Sequence, residues 1–198
     1  MKFLMENWRK YLITEAIDSR IMKQIDKAQE MGCKVVVLDK RDYGFAEIVQ
    51  GEEGSYSYTT IAKVSWTYND GQFGECNKAA WVQASNAHDN LGPLAYDVAV
   101  EVSGGLMSDR TEVSDSAEAV WEKYMNSRKD VSSDQLDIHK DYGFDQLTPD
   151  NPDDDCDQIP ATQRYKGDWF KSALSKIFFK DGTPVVDELD SRGMLIKK

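Results

Sequence analysis

The chain predicts an α/β protein of the α+β kind: a mixed, largely antiparallel sheet flanked by helices, with an amphipathic helix at its N-terminal end. Three observations carry this. From Cys33 to Ser85, β-branched and aromatic runs alternate with Gly-, Asp- and Asn-containing turns, the pattern of a meander. From Gly92 onward, apolar residues recur at three- and four-residue steps, the helical spacing. And 40% hydrophobic residues over 198 positions suffice for one core.

The elements follow in order. Leu4, Trp8, Leu12, Ile21, Ile25 and Ala28 make the stripe of one helix or a pair over Met1 to Met31, and Gly32 ends it. Cys33 to Lys40 is a compact β-branched strand, turned by Asp42-Tyr43-Gly44. Phe45 to Gln50 returns, and Glu52 to Ser55 turns again. Tyr56 to Tyr68 is a long strand with Tyr58, Thr60, Ala62, Val64 and Trp66 on one face. Asn69-Asp70-Gly71 is a hairpin signal. Ala79 to Ser85 closes the meander, and Asn86 to Asn90 is too polar to continue it.

Gly92-Pro93 opens a helix, since proline in the first turn wastes no hydrogen bond. Leu94, Ala95, Val98, Ala99 and Val102 form its apolar face, and Gly104-Gly105 stops it. Asp97, on the side away from Val98 and Val102, complements the helix dipole. Leu106 to Val113 suits a short strand, in which Asp109 and Arg110 are adjacent. Ser114 or Asp115 caps a second helix, with Glu118 placed to reach back. Its stripe is Ala117, Val120, Trp121, Tyr124 and Met125.

Asp130 to Ile138 adds an edge strand. Asp141 to Gln158 is an irregular acidic loop. Its carboxylates could hold calcium, but their spacing does not match an EF-hand, and Pro149 and Pro152 favour an extended loop, so no metal site is assigned. Gly167 to Phe179 reads as a second amphipathic helix, Val185 to Leu195 as a short helix, and Lys197-Lys198 as a tail.

A net charge of -11 argues against nucleic acid and anionic membranes as partners. No apolar run approaches the ~20 residues that span a bilayer. Cys33, Cys76 and Cys156 are scattered and odd in number, which fits a reducing cytoplasm better than a disulfide framework. The loop from Ser85 to Leu94, between a strand and a helix N-terminus, is where free N–H groups and a helix dipole could hold an anion. His88 there could act as a general base near neutral pH, and Arg110 is the best-placed cation.

Two resemblances add to this. MKFLMENWRKYLITEA resembles the capsid-targeting leader of internal head proteins of T-even-like phages: a short MK start, an aromatic amphipathic turn and a prohead-protease site. It implies cleavage between Glu15 and Ala16, a partner in the phage head scaffold or the prohead protease, and residence in the virion head or the host cytoplasm. The order helix, meander, loop, helix, strand, helix from Val35 to Ile138 resembles the GNAT family of N-acetyltransferases. In that family a splayed central strand and the following loop and helix bind acetyl-CoA, and a tyrosine on the next helix protonates the leaving thiolate. The resemblance implies a GNAT-like fold and acetyl-CoA held by Ala84, Ser85, Asn86, Asn90, Leu91, Gly92, Leu94 and Arg110. His88 or an ordered water would deprotonate an amine acceptor, a small molecule or a protein. Trp121 stands where the family carries its tyrosine, so Tyr124, one turn later, is the candidate acid. Two functions follow as expectations: an acetyl-CoA-dependent N-acetyltransferase packaged in the phage head, or a non-catalytic head protein that keeps the fold. The chain divides into a leader (1–15), the GNAT-like domain (16–140), and an acidic loop with C-terminal helices (141–198). The apolar faces of the terminal helices suit a homodimer.

Overall fold

The structure, a computed structural model, describes residues 17–52, 55–68, 80–109, 112–137 and 169–198. The leader with Glu15 and Ala16, the Asn69-Asp70-Gly71 turn, Arg110 and the acidic loop lie outside them.

Helix α1 (Ser19–Glu30) starts where the Asp18 carboxylate accepts the Arg20 N–H at 2.8 Å. Ile21, Ile25 and Ala28 are buried along one face. Gly32 then takes φ +70°, a left-handed turn that glycine adopts at low cost.

Four antiparallel strands follow: β1 (Lys34–Asp39), β2 (Tyr43–Gln50), β3 (Thr59–Tyr68) and β4 (Ala80–Ala87). Val35, Val37, Ala46, Ile48, Ala62, Val64, Trp66, Ala80 and Val82 alternate onto the main core face, the period-two pattern of a pleated sheet. β2 starts at Tyr43, so the first turn lies before Gly44 rather than on it. Gly44 is paired opposite Trp66, and a Cβ there would meet the indole at 2.4 Å. Glycine is needed in this strand for the ring above it, not for a turn. Tyr56 likewise belongs to the preceding turn, since β3 begins at Thr59.

Helix α2 (Gly92–Ser103) crosses the core face of the sheet and has the bounds its glycines predict. β5 (Leu106–Met107) pairs parallel to β4. Helix α3 (Asp115–Ser127) is capped by Ser114, whose hydroxyl accepts the Ala117 N–H at 3.3 Å. β6 (Ser132–Gln135) forms one edge of the sheet. The helix expected over Gly167 to Phe179 is absent: Trp169–Lys171 and Ala173–Ser175 are single 3-10 turns, and Lys176–Phe179 is strand β7, between β5 and β6. Ile177 joins a small cluster with Trp81, Met107 and Leu136, while Phe178 joins the main core, so the two faces alternate as in a strand. Helix α4 (Pro184–Ser191) ends earlier than expected. Beyond it, Leu195, expected in that helix, and Lys197, expected in the tail, belong to β8 (Leu195–Lys197), parallel to β1. The sheet order is β6-β7-β5-β4-β3-β2-β1-β8.

Ile21 and Ile25 of α1, and Val185 and Leu189 of α4, belong to the main core.

Asp97 does not face solvent; it is fully buried at the centre of an ion cluster. Arg128 grips it in a bidentate pair at 2.9 and 2.6 Å, Lys180 Nζ lies 2.9 Å away, and the Tyr124 hydroxyl donates to it at 2.7 Å. Asp130 accepts from Arg128 at 2.7 Å, and Glu101 pairs with Lys180 at 2.7 Å. The Glu101 carboxylate also accepts the Val185 and Val186 N–H groups at 3.1 and 2.9 Å. Thr183, the N-cap residue of α4, makes no capping bond of its own, so Glu101 caps that helix from α2. Glu101→Ala is expected to destabilise the fold by about 1–3 kcal/mol, the cost of losing a cap and one of the carboxylates paired with Lys180. Hydrogen exchange at Val185 and Val186 should speed up more than exchange in β2; equal acceleration at both would sink the capping role.

Several groups hold their protons unusually tightly. Burial raises Tyr124 well above its usual value, with Asp97 adding to the effect, and burial raises Tyr96. Tyr68 is pushed up to about 12 by burial and its bond to Asp39. For Lys180, burial opposes the charge, but Asp97 and Glu101 outweigh it and the ammonium is favoured. All four folded values are raised, so their contribution is fully present below the ordinary values of 10.0 and 10.5 and is lost as pH rises beyond them, where the unfolded chain releases its protons first. The denaturation midpoint should fall steeply above about pH 10, and tyrosinate absorbance should lag that of the unfolded chain. A midpoint flat to pH 11 would contradict this assignment.

Candidate functional site: the cleft beside strand β4

β4 and β5 pair at only two positions, Ala80 with Leu106 and Trp81 with Met107. β5 then ends, while β4 continues to Ala87. Strand twist carries β4 away, and the N-terminal ends of α2 and α3 border the gap. Two cavities fill it. The larger, about 440 Å³, reaches from Ser85 and the His88 loop to Lys123. The smaller, about 240 Å³, is walled by Val82, Tyr96, Val113 and Trp121, with Asp109 and Glu112 among its polar lining. Ser85, Tyr96, Ser114 and Ala117 border both. At this junction the Tyr96 hydroxyl donates to Ser85 Oγ at 2.9 Å. Trp121 packs edge-on against Tyr96, with ring centroids 5.2 Å apart.

The loop at the mouth is a tight turn. Leu91 N–H donates to the His88 carbonyl at 3.2 Å, with Asp89 at φ 55° and Asn90 at φ 59°. Two successive left-handed residues without glycine are uncommon, and Asp and Asn are the side chains that tolerate it best. Lys27 of α1 donates to the Asp89 carbonyl at 2.6 Å and the Ile61 carbonyl accepts the His88 N–H at 2.8 Å, so the turn is held from both sides.

The structure brings Ala84, Ser85, Asn86, His88, Asn90 and Gly92 to the cleft wall. Leu91 and Leu94 face the core and are fully buried. Tyr124 is outside the cleft, with its hydroxyl committed to Asp97; it borders instead a hollow of about 50 Å³ beside α1. The sequence reading passed over Tyr96, Lys123 and Gln24. Tyr96 falls between Ala95 and Val98 of the expected apolar face and carried no separate signal. Gln24 matters most: its side-chain oxygen accepts the Leu94 N–H at 2.8 Å, across 70 positions of sequence. Pro93 has no N–H, and the Ala95 N–H is bonded to the Leu91 carbonyl. In the first turn of α2, Gly92 alone keeps an N–H without a hydrogen bond among the described residues.

A diphosphate needs converging N–H donors or cations. Here the Leu94 and Ala95 N–H groups are taken and Asp89 stands at the mouth, while the cations on the lining are Lys123 and Lys63, the latter with its Nζ 4.7 Å from the Phe45 ring. Among the described residues, the first turn of α2 thus offers a diphosphate one open N–H, that of Gly92. Among them, no group of three His, Cys, Asp or Glu side chains is placed to hold a metal ion, and no helix is long and apolar enough to cross a membrane. No protein-family model matches the chain, and no curated protein or solved structure matches it either.

Proposed function

We propose that this chain is a non-catalytic phage head protein that keeps an acetyltransferase-like scaffold and uses the cleft beside β4 for binding rather than acetyl transfer. One observation carries the reading: the α2 N-terminus, which would hold the diphosphate, is already closed by Gln24 and Pro93. The distance of the Tyr124 hydroxyl from the cleft adds to it. Support for the head is the resemblance of the first fifteen residues to capsid-targeting leaders. Support for the scaffold is the splay of β4 from a parallel neighbour, followed by loop and helix, as in the GNAT family.

A second reading, an active N-acetyltransferase, draws on the junction of the two cavities. There Tyr96, kept protonated by burial, and His88 on the wall are the groups able to move a proton. Calorimetric titration of acetyl-CoA separates the two. The full chain should show no binding up to about millimolar ligand, since one N–H cannot replace a cradle. Low-micromolar binding would overturn the non-catalytic reading and justify a screen of amine acceptors.

A further inference from the structure

We propose that the cleft takes an extended segment of a partner protein, laid along the open edge of β4 with an arginine side chain in the smaller cavity. The proposal rests on the reading of the cleft as a binding groove and names its occupant. The edge comes first. β4 is the fourth of eight strands in the sheet, yet it is exposed from Gln83 to Ala87. Beyond Trp81, among the described residues, it has no strand partner on the α3 side. The antiparallel register with β3 fixes which main-chain groups face that side. The His88 N–H donates to the Ile61 carbonyl, and the pairing continues with Ala87 opposite Ala62, Asn86 opposite Lys63 and Ser85 opposite Val64. Bonded and non-bonded pairs alternate along such a ladder, so Asn86 turns its N–H and C=O to β3, while Ser85 and Ala87 turn theirs to the groove. An extended segment would satisfy these groups, the usual way a peptide joins a sheet edge.

The smaller cavity selects the side chain. Ser85 Oγ accepts from Tyr96, so the Ser85 side chain lies on the α2 side of the sheet. A residue added opposite Ser85 points the same way. There it meets Val82, Tyr96, Val113 and Trp121, apolar walls for a methylene stem, and the carboxylates of Asp109 and Glu112. The Asp109 carboxylate accepts the Glu112 N–H at 3.3 Å, which holds the two acidic residues together. Among the described residues no cation lines this cavity; Lys63 and Lys123 border the larger one. Arginine matches this lining. Its flat guanidinium is always charged, is more weakly hydrated than an ammonium, stacks on aromatic rings and offers five N–H donors to carboxylates. It is not an acyl acceptor, so the assignment is one of binding.

Fluorescence anisotropy on the full chain tests this. The probe is a labelled seven-residue peptide of alternating threonine and valine with arginine at its centre. It should bind with a Kd on the order of 10–100 μM. The citrulline version, alike in shape but uncharged, should bind about tenfold weaker. Two further versions of the arginine peptide are N-methylated at alternate amides, one in each phase. The phase that faces β4 should lose about tenfold and the other little. Glu112 is exposed, so Glu112→Gln leaves the fold intact; it should weaken the arginine peptide about fivefold and leave the citrulline peptide unchanged. No binding of the arginine peptide at about millimolar concentration would overturn the proposal. So would equal binding of the arginine and citrulline peptides, both methylated phases binding as well as the parent, or an arginine peptide indifferent to Glu112→Gln. The two readings fail separately. Acetyl-CoA bound at low-micromolar level would sink the non-catalytic reading, and the peptide titration would still decide the partner of the groove. An arginine peptide that fails to bind, with acetyl-CoA unbound as well, would remove this proposal alone.

Discussion

Asp97→Ala is expected to lower stability by about 3–5 kcal/mol, enough to leave a domain of ordinary stability largely unfolded near its growth temperature. The magnitude follows from what remains. Arg128 and Lys180, both buried, lose their shared carboxylate, and the Tyr124 hydroxyl loses its acceptor. Two buried cations then rely on Asp130 and Glu101, and burial already raises the pKa of Glu101. The cost is that of stranded charge, not the net worth of the pairs, so the double variant Asp97→Ala, Lys180→Met should be less damaged than the single-variant losses imply. Urea denaturation of the four members of this cycle measures the coupling. Additive losses would show that the cluster does not act as a unit.

Trp121→Ala is the second large effect, at about 3–5 kcal/mol. The indole is almost wholly buried and stacks on Phe178 at 5.5 Å. Its edge contacts with Tyr96 and Tyr124 lie at 5.2 and 5.8 Å. Each aromatic contact contributes about 0.5–1.5 kcal/mol beyond area burial, and the void left would open onto the smaller cavity of the cleft. Trp121→Phe should recover much of the loss. Thermal unfolding of both variants decides it. A Trp121→Ala midpoint within two degrees or so of wild type would mean that the core closes over the gap.

How much of this was legible depends on how local the signal is. α2 was readable to its ends because Gly92-Pro93 and Gly104 act within a turn of where they stand. The Ser114 cap and the meander were legible for the same reason. Residues 167–179 were not: Phe170, Leu174 and Phe178 repeat every four positions, which suits a helix, yet Ile177 and Phe178 also suit a strand buried on both faces. Pairing with β5 and β6 decided for the strand. Asp97 was misread because nothing near it announces Arg128 or Lys180, which come from elsewhere in the chain. The cleft loop was found from its polarity, but its occupancy by Gln24 rests on the packing of α1 against α2, which no local pattern reports.

The pairing of β8 with β1 joins opposite ends of the described chain. A ribosome delivers β1 long before β8. Until β8 emerges, β1 carries an edge that β8 cannot yet cover, while β2 to β4 can already fold beside it. Neighbouring nascent chains on one message offer the same edge at close range. Yield should therefore depend on how quickly residues 195–197 arrive: slow codons before Leu195, or a fusion that hinders this segment, would favour aggregation even though the finished fold is unchanged.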